Sequence, residues 1–375
     1  MKQSAKADGV FMQEALRLAR RGEGLTRPNP PVGAVVVKNG RIIGRGWHRQ
    51  AGGPHAEIYA LRQAGVAARG ATLYVTLEPC STSGRTPPCT GAIRAAGIHR
   101  VVFALKDPNP RHAGRASGLL RRAGIAVCEG VGGAAARDLL EPFAHWITTG
   151  HPWITLKLAQ TLDGRIADAR GASRWISSPA ARAWVQDLRR RSDGILVGAG
   201  TVIADDPSLL PRPDRGRRPW RIVVDSRGRC PRAARIFSDE AADRTILATT
   251  RRCSETHRVA LERRGVSVWI LPATRQGRVN LRALSERLGR EGLLRVVCEG
   301  GGELAGEWLR LNRVDELFLF IAPKVLGGTG IPAVAGPGWR LAAAPVWRWS
   351  DLQRVGDDLM VRLVRGSGGN RCLPD

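Results

Sequence analysis

Two periods of apolar and polar positions alternate along the chain. Residues 11–21 put Phe11, Ala15, Leu18 and Ala19 on one side of a helix that Gly22 stops. A proline-rich loop from Thr26 to Gly33 leads into Ala34-Val35-Val36-Val37, a β run. Lys38-Asn39-Gly40 is a hairpin signal, and Arg41 to Gly46 is the return strand. A helix is expected from His55 to Ala64, closed by Gly65, and a strand from Thr72 to Leu77. A short helical pattern, Ala92 to Ala96, ends at Gly97. A strand at 101–105, a helix ending at 119–122 and a strand at 125–127 follow. Strands alternating with helices predict a layered α/β domain.

Thr148-Thr149-Gly150-His151-Pro152 has linker composition, which places a boundary near Gly150 and divides the chain into residues 1–149 and 150–375. The second part opens on an apolar strand, Trp153 to Ala159, carrying one lysine, Lys157. Asp163-Gly164 is a turn. Ser178-Pro179 reads as a helix start, with serine as cap and proline at the first position, and that helix runs to about Arg190. Strands are expected at 194–197, 221–224, 245–248, 266–271, 294–298 and 316–321, again an α/β pattern. The tail after Arg365 reads as frayed.

With 375 residues, two domains with full cores are affordable, and 43% hydrophobic content fits a globular protein. No apolar run approaches the roughly 20 residues that span a bilayer, and residues 1–9 carry no signal-peptide core. Seven widely spaced cysteines argue against a disulfide framework and for the cytoplasm. The net charge of +26 raises nucleic-acid binding as a possibility. The arginines are scattered, however, and are not interleaved with aromatics. A solvated basic surface that steers anionic small substrates accounts for them.

Within this frame one stretch carries specific chemistry. Gly53-Pro54-His55-Ala56-Glu57 is followed by Glu78-Pro79-Cys80 and, nine residues on, Cys89. One imidazole and two thiolates are a catalytic zinc set with an open fourth position, and zinc lowers the pKa of water to about 7. Glu57, which binds no metal, would carry the proton from water to a leaving ammonia, as zinc deaminases require. Residues two apart on a helix do not share a face, so His55 and Glu57 separate these roles. Asn29 either meets a substrate ring edge or simply forms a turn. In the second part Glu299-Gly300-Gly301-Gly302 follows a strand and opens a helix, a phosphate cradle or just a turn.

The segments Met12 to Leu16, Thr26 to Gly33, Gly53 to Glu57, Thr76 to Cys89 and Asp107-Pro108-Asn109-Pro110 resemble the bifunctional deaminase/reductase family of riboflavin biosynthesis. The eight residues between the cysteines, including Gly-Arg-Thr-Pro-Pro, belong to this pattern, whereas nucleic-acid deaminases have Cys-x-x-Cys. Glu141 to Trp146 resembles the family's inter-domain segment. Lys157 to Gly164, Ser173 to Ile176, Val197 to Thr201, Asp205-Asp206-Pro207, Glu299-Gly300-Gly301 and Ala322 to Gly327 resemble its reductase half. The resemblance implies a cytidine-deaminase-like three-layer domain followed by a dihydrofolate-reductase-like α/β domain. It implies zinc on His55, Cys80 and Cys89, with Glu57 catalytic. NADPH would lie against Ala159, Trp175, Thr201, Asp205, Ser226, Gly301 and Gly302. A phosphorylated pyrimidine would lie against Ser173, Arg189, Leu209, Arg212 and Glu299. Arg189 and Arg212 are suited to forking onto a phosphate, and Lys157 to protonating the sugar oxygen. The family often forms dimers or tetramers through its reductase half.

The chain departs from the pattern where the family commonly has two histidines after Pro-Cys-Ser and this chain has Thr82-Ser83. Ala116 stands for a usual glycine, and Thr161 for a usual serine. The first departure keeps open a relative in which one half has drifted. A nucleic-acid deaminase is the other alternative.

Overall fold

The Asn39-Gly40 turn closes its hairpin with positive φ at both residues, 50° and 72°. That backbone lets a two-residue turn follow the twist of its strands. In the computed structural model, which describes residues 2–82, 87–110, 112–214 and 218–366, this turn joins β1 (Gly33–Lys38) to β2 (Arg41–Trp47). Around them lie α1 (Lys2–Ala19), α2 (Ala56–Ala64), β3 (Thr72–Val75), α3 (Cys89–Ala95), β4 (Arg100–Phe103), α4 (Arg115–Arg122), β5 (Ala126–Glu129) and α5 (Gly133–Thr149). The sheet order is β2-β1-β3-β4-β5. β1 is antiparallel to both neighbours, and β3, β4 and β5 are parallel.

Successive side chains of a strand face opposite sides, and both sides are covered. Val36, Leu73, Val75, Val101 and Phe103 pack with Ala60 of α2, Ile93 of α3 and Leu120 of α4. Val35, Tyr74 and Val102 pack with Met12 and Leu16 of α1 and Leu139 of α5. These are the three layers expected. Two glycines of β2 set how closely α2 approaches. A Cβ at Gly44 would lie 2.1 Å from the Ala60 carbonyl oxygen, and one at Gly46 would lie 2.1 Å from that of Ala56. The first turn of α2, with Glu57, therefore lies directly on the strand.

α1 begins nine residues before the apolar periodicity does. An ion pair holds the extra turns. The Asp8 carboxylate accepts from the Tyr74 hydroxyl at 2.6 Å and from both Arg100 nitrogens at 2.9 and 2.7 Å. The Arg100 guanidinium holds the Asp8 carboxyl below its ordinary 3.8 despite burial. A depressed folded pKa contributes stability above the unfolded value that is lost as pH falls through the folded one. Asp8→Ala is expected to cost about 2–3 kcal/mol in denaturant titrations of the first unit at pH 7. The difference from wild type should shrink as the pH falls below 3.8.

Residues Glu141 to Trp146, which resemble the family's inter-domain segment, are helical and lie just before the boundary between the units. They are part of α5, and Phe143, Ala144 and His145 are buried. The helix ends at Gly150 in a left-handed conformation, with its N–H donating to the Trp146 carbonyl at 2.8 Å. The chain divides there into two compact units, Met1–Gly150 and His151–Asp375.

The second unit comprises β6 (Trp153–Thr161), β7 (Arg165–Ala167), α6 (Pro179–Arg190), β8 (Gly194–Gly198), α7 (Ala199–Asp205), β9 (Trp220–Val224), α8 (Arg235–Ser238), β10 (Thr245–Thr249), α9 (Glu255–Glu262), β11 (Ser267–Ile270), α10 (Leu281–Arg290), β12 (Arg295–Cys298), α11 (Gly302–Arg310), β13 (Glu316–Ala322), β14 (Ile331–Pro332), β15 (Trp347–Val355) and β16 (Asp358–Arg365). Nine strands form one sheet in the order β11-β10-β9-β8-β12-β6-β13-β16-β15, parallel from β11 to β13 and antiparallel at the β16-β15 edge. α10 and α11 cover one face through Leu284, Leu288 and Trp308. α6, α8 and α9 cover the other through Val185, Phe237 and Leu261. Ser178 caps α6 as expected, its hydroxyl accepting from the Ala181 N–H at 3.3 Å. The hairpin of β15 and β16 went unforeseen. β15 is exposed along nearly its whole length, so no buried face marks it in the pattern. The tail expected to fray lies, beyond Gly366, outside the described residues. Among the described residues no helix is long and apolar enough to cross a membrane.

Candidate active sites

In the first unit the chain brings together one nitrogen and two sulfurs from three separate segments. His55 precedes α2 with extended backbone, so it caps the helix and is not part of it. Glu57 lies inside the first turn and is buried. This separates the two side chains, and not two faces of one helix as the spacing suggested. Cys89 is the first residue of α3, with Pro88 as its cap. Its backbone N–H donates to the Cys80 sulfur at 3.2 Å. The His55 Nδ1 lies 3.3 Å from the Cys89 sulfur and 3.4 Å from that of Cys80. All three donor atoms fall within 4.8 Å of one another, and among the described residues no other such cluster of metal-binding groups occurs.

The electrostatics suit a cation. Donation from the Cys89 thiol and from His55 brings the Cys80 thiol down to about 4. Cys89 is pushed up because it shares that proton with Cys80 and is buried. The hydrogen bond to Cys80 raises the His55 imidazole above its usual range. Cys80 thus already offers a thiolate, and a divalent ion would displace the proton it shares with Cys89. The set is tripodal, with no fourth donor among the described residues, so zinc would retain an open position. Burial pushes the Glu57 carboxyl up, against the pull of His55, which suits a group that must both take and release a proton.

Asn29 closes a turn with Thr26, its N–H donating at 2.8 Å, and its side-chain amide also lies 3.0 Å from the His48 Nε2. The His48 Nδ1 meets the Pro54 carbonyl at 3.0 Å, and its ring stands edge-on to His55 at 5.4 Å. Sequence reasoning missed His48. Its signal was a histidine directly after the return strand that carries α2. Sequence reasoning also missed what Glu78 does. Its buried carboxylate accepts backbone N–H groups of Asp107 at 3.2 Å, Gly114 at 2.9 Å and Ala116 at 2.9 Å. The loop leaving β4 is thereby tied to the loop bearing Cys80. Ala116 serves here through its backbone, so the departure from glycine keeps this bond. Of the Thr82-Ser83 departure, Ser83 lies outside the described residues.

In the second unit the carboxyl ends of β9, β8, β12 and β6, which are contiguous in the sheet, open on one cleft of about 1560 Å³. Open α/β sheets place ligands at such ends. All thirteen residues singled out for this unit line it: Lys157, Ala159, Ser173, Trp175, Arg189, Thr201, Asp205, Leu209, Arg212, Ser226, Glu299, Gly301 and Gly302. Trp175 is 62% exposed and so does not fill the core. Arg182 stacks over it at 4.3 Å, and Lys324 donates to its carbonyl at 2.7 Å. Ser226 accepts from the Val279 N–H at 2.9 Å. Asp205 pairs with Arg174 at 3.6 Å.

Arg189 differs from its expected use. Both arms of its guanidinium are taken by Glu299, at 2.7 and 2.9 Å, whereas Arg212 is exposed. Burial pushes the Glu299 carboxyl up, but Arg189 and Lys157 outweigh it and hold it below the usual range. Burial lowers the Lys157 ammonium, and Glu299 partly offsets this. Among the described residues, nothing lies within 4 Å of where a Cβ of Gly301, at the mouth of α11, would stand. Its neighbour Gly302 would meet the Pro332 carbonyl oxygen at 2.3 Å. One glycine therefore keeps the cleft open, and the other permits packing.

Known families match both units. Residues 5–105 match the cytidine and deoxycytidylate deaminase zinc-binding region, and residues 152–361 match the RibD C-terminal domain. The chain is thus a zinc deaminase joined to an NADPH-using reductase. It is 43% identical to the riboflavin biosynthesis protein RibD of Escherichia coli, over 95% of this chain and 99% of that one. It is 45% identical to RibD of Aquifex aeolicus, over 85% and 88%. Among solved structures, one form of Acinetobacter baumannii RibD superposes with a TM-score of 0.86 at 37% identity, covering 97% of this chain and 100% of that one. A deaminase/reductase from Thermotoga maritima does so with 0.86 at 35%, with the same coverage. The chain belongs to the RibD family of bifunctional riboflavin biosynthesis enzymes.

Proposed function

We propose that the first unit hydrolyses the 2-amino group of 2,5-diamino-6-(5-phosphoribosylamino)pyrimidin-4(3H)-one. The second unit then reduces the ribosyl chain of the resulting 5-amino-6-(5-phosphoribosylamino)uracil to ribityl. The observation that carries the reading is the buried Glu57 carboxylate set beside the His55, Cys80 and Cys89 trio. When bound, zinc supplies Lewis acidity that acidifies a water, and NADPH supplies a hydride. Glu57 takes the proton of that water and returns it to the departing amine, so that water and the amino-pyrimidine become the oxo-pyrimidine and ammonia. Asn29, oriented by His48, holds the ring edge.

In the reductase, Gly301 and Gly302 at the start of α11 cradle the pyrophosphate, with Thr201 and Asp205 beside them. Ser226, Ala159 and Trp175 line the remainder of the dinucleotide. Arg212 and Ser173 hold the substrate phosphate. Leu209 and the Glu299–Arg189 pair hold the sugar, and Lys157 gives its proton to the sugar oxygen as carbon 1 is reduced. The substrates are small phosphorylated pyrimidines, not nucleic acid. The setting is cytoplasmic, in keeping with six free cysteines among the described residues, and the protein works as a homo-oligomer.

A coupled assay with the diamino substrate tests this, following ammonia and NADPH absorbance together. Ammonia should appear first and NADPH should then fall. NADPH loss without ammonia would mean that only the reductase half is active. Stripping zinc with a chelator should abolish ammonia release, while NADPH oxidation on the already deaminated substrate stays unchanged. Zinc content and both rates on one sample check it.

A further inference from the structure

His112 sits in the loop between β4 and α4, and that loop is built to hold it. Glu78, two residues before Cys80, accepts N–H groups from both ends of the loop, at Asp107 and at Gly114. Inside the loop the His112 N–H donates to the Asn109 carbonyl at 2.9 Å, and the Arg115 N–H donates to that of His112 at 3.0 Å. The backbone is therefore closed on itself and anchored to the ligand-bearing loop. The His112 imidazole meets the Thr82 hydroxyl, Nδ1 to Oγ1, at 3.1 Å. Thr82 follows Cys80 by two residues, and both partners are half-buried. Burial pushes the Asp107 carboxyl up, and it lies in the fields of His112, Glu78 and Cys80.

The chemistry of this pair is directional. When the threonine hydroxyl donates to Nδ1, the ring proton resides on Nε2. That nitrogen has no partner among the described residues and the ring is half-buried, so in this tautomer an N–H donor is left for a ligand. Neither nearby carboxylate can bind an anionic substrate: Glu57 belongs to proton transfer and Glu78 is occupied by amides. Thr82 is also where the chain departs from its family's pattern, and the imidazole on this edge arrives from the opposite loop.

We propose that His112, oriented by Thr82, is a specificity-determining residue of the deaminase and donates from Nε2 to the phosphate of the ribosylamino phosphate substrate. This rests on the deaminase reading above. A hydrogen bond to a phosphate oxygen is charge-assisted, and it acts on binding, not on the proton transfer at the ring.

The test uses the full-length zinc-loaded protein and steady-state ammonia release. His112→Ala should raise KM about tenfold or more with kcat held within about threefold. Zinc content and reduction of the deaminated substrate should not change. On the dephosphorylated substrate the variant and wild type should share one KM. The exchanged pair, Thr82→His with His112→Thr, should recover most of the loss on the phosphorylated substrate. An unchanged KM in His112→Ala overturns the assignment. So does a fall in kcat together with zinc content, a penalty that persists without the phosphate, or an exchanged pair no better than His112→Ala. Wild-type protein that releases no ammonia from the diamino substrate would instead overturn the deaminase reading, and this inference with it.

Discussion

Glu57→Gln should lower ammonia release by about 10³-fold or more, the upper range for removing a general acid–base. Zinc content should be retained, and reduction of the already deaminated pyrimidine should proceed at the wild-type rate. The expectation follows from placement. Glu57 is buried in the first turn of α2, two residues from His55. Its backbone is clamped by the contact of α2 with Gly44 and Gly46. Glutamine keeps the size of the side chain but cannot accept and return a proton. The loss should therefore fall on kcat, with KM little altered. A variant that kept its rate would place the proton shuttle elsewhere. One that lost its zinc would show that the carboxylate supports the metal loop.

Gly301→Val should raise the KM for NADPH about 100-fold, or about 2.7 kcal/mol of binding, while ammonia release is unaffected. Nothing among the described residues stands within 4 Å of a Cβ at this position, and the glycine's φ of −70° is open to any residue. The fold should therefore tolerate valine. The space it fills is the mouth of α11, where unpaired N–H groups await an anion. Titration of NADPH by fluorescence, beside a thermal melt, separates blocked binding from lost structure. Gly302→Ala is the structural control. Its Cβ would collide with the Pro332 carbonyl oxygen at 2.3 Å, so it should lower stability as well as NADPH binding.

The order and types of elements were legible because each unit has a sheet buried on both faces, and such strands read as apolar runs. The Asn39-Gly40 hairpin and the Ser178-Pro179 start of α6 were legible because local backbone chemistry decides them. The residues of the deaminase trio were legible for a similar reason: few roles need a histidine, two cysteines and a spare carboxylate in that order. In the reductase, the glycine turn after β12 was weak evidence until the fold set the end of β12 beside those of β8, β9 and β6.

Tertiary structure alone decided the rest, since long-range polar partners leave no periodic trace. Asp8 extends α1 because Arg100 and Tyr74 lie across the sheet from it in sequence. His48 reaches Asn29, and His112 reaches Thr82, over separations that no local pattern encodes. Arg189 read as a free phosphate ligand, yet its fork is filled by Glu299, 110 residues away. The sequence by itself determined the two α/β units, the His55, Cys80 and Cys89 donor set that the fold brings together, and the family. Which side chain faces which partner was determined only on folding, when buried charges had to be paired and buried amides satisfied.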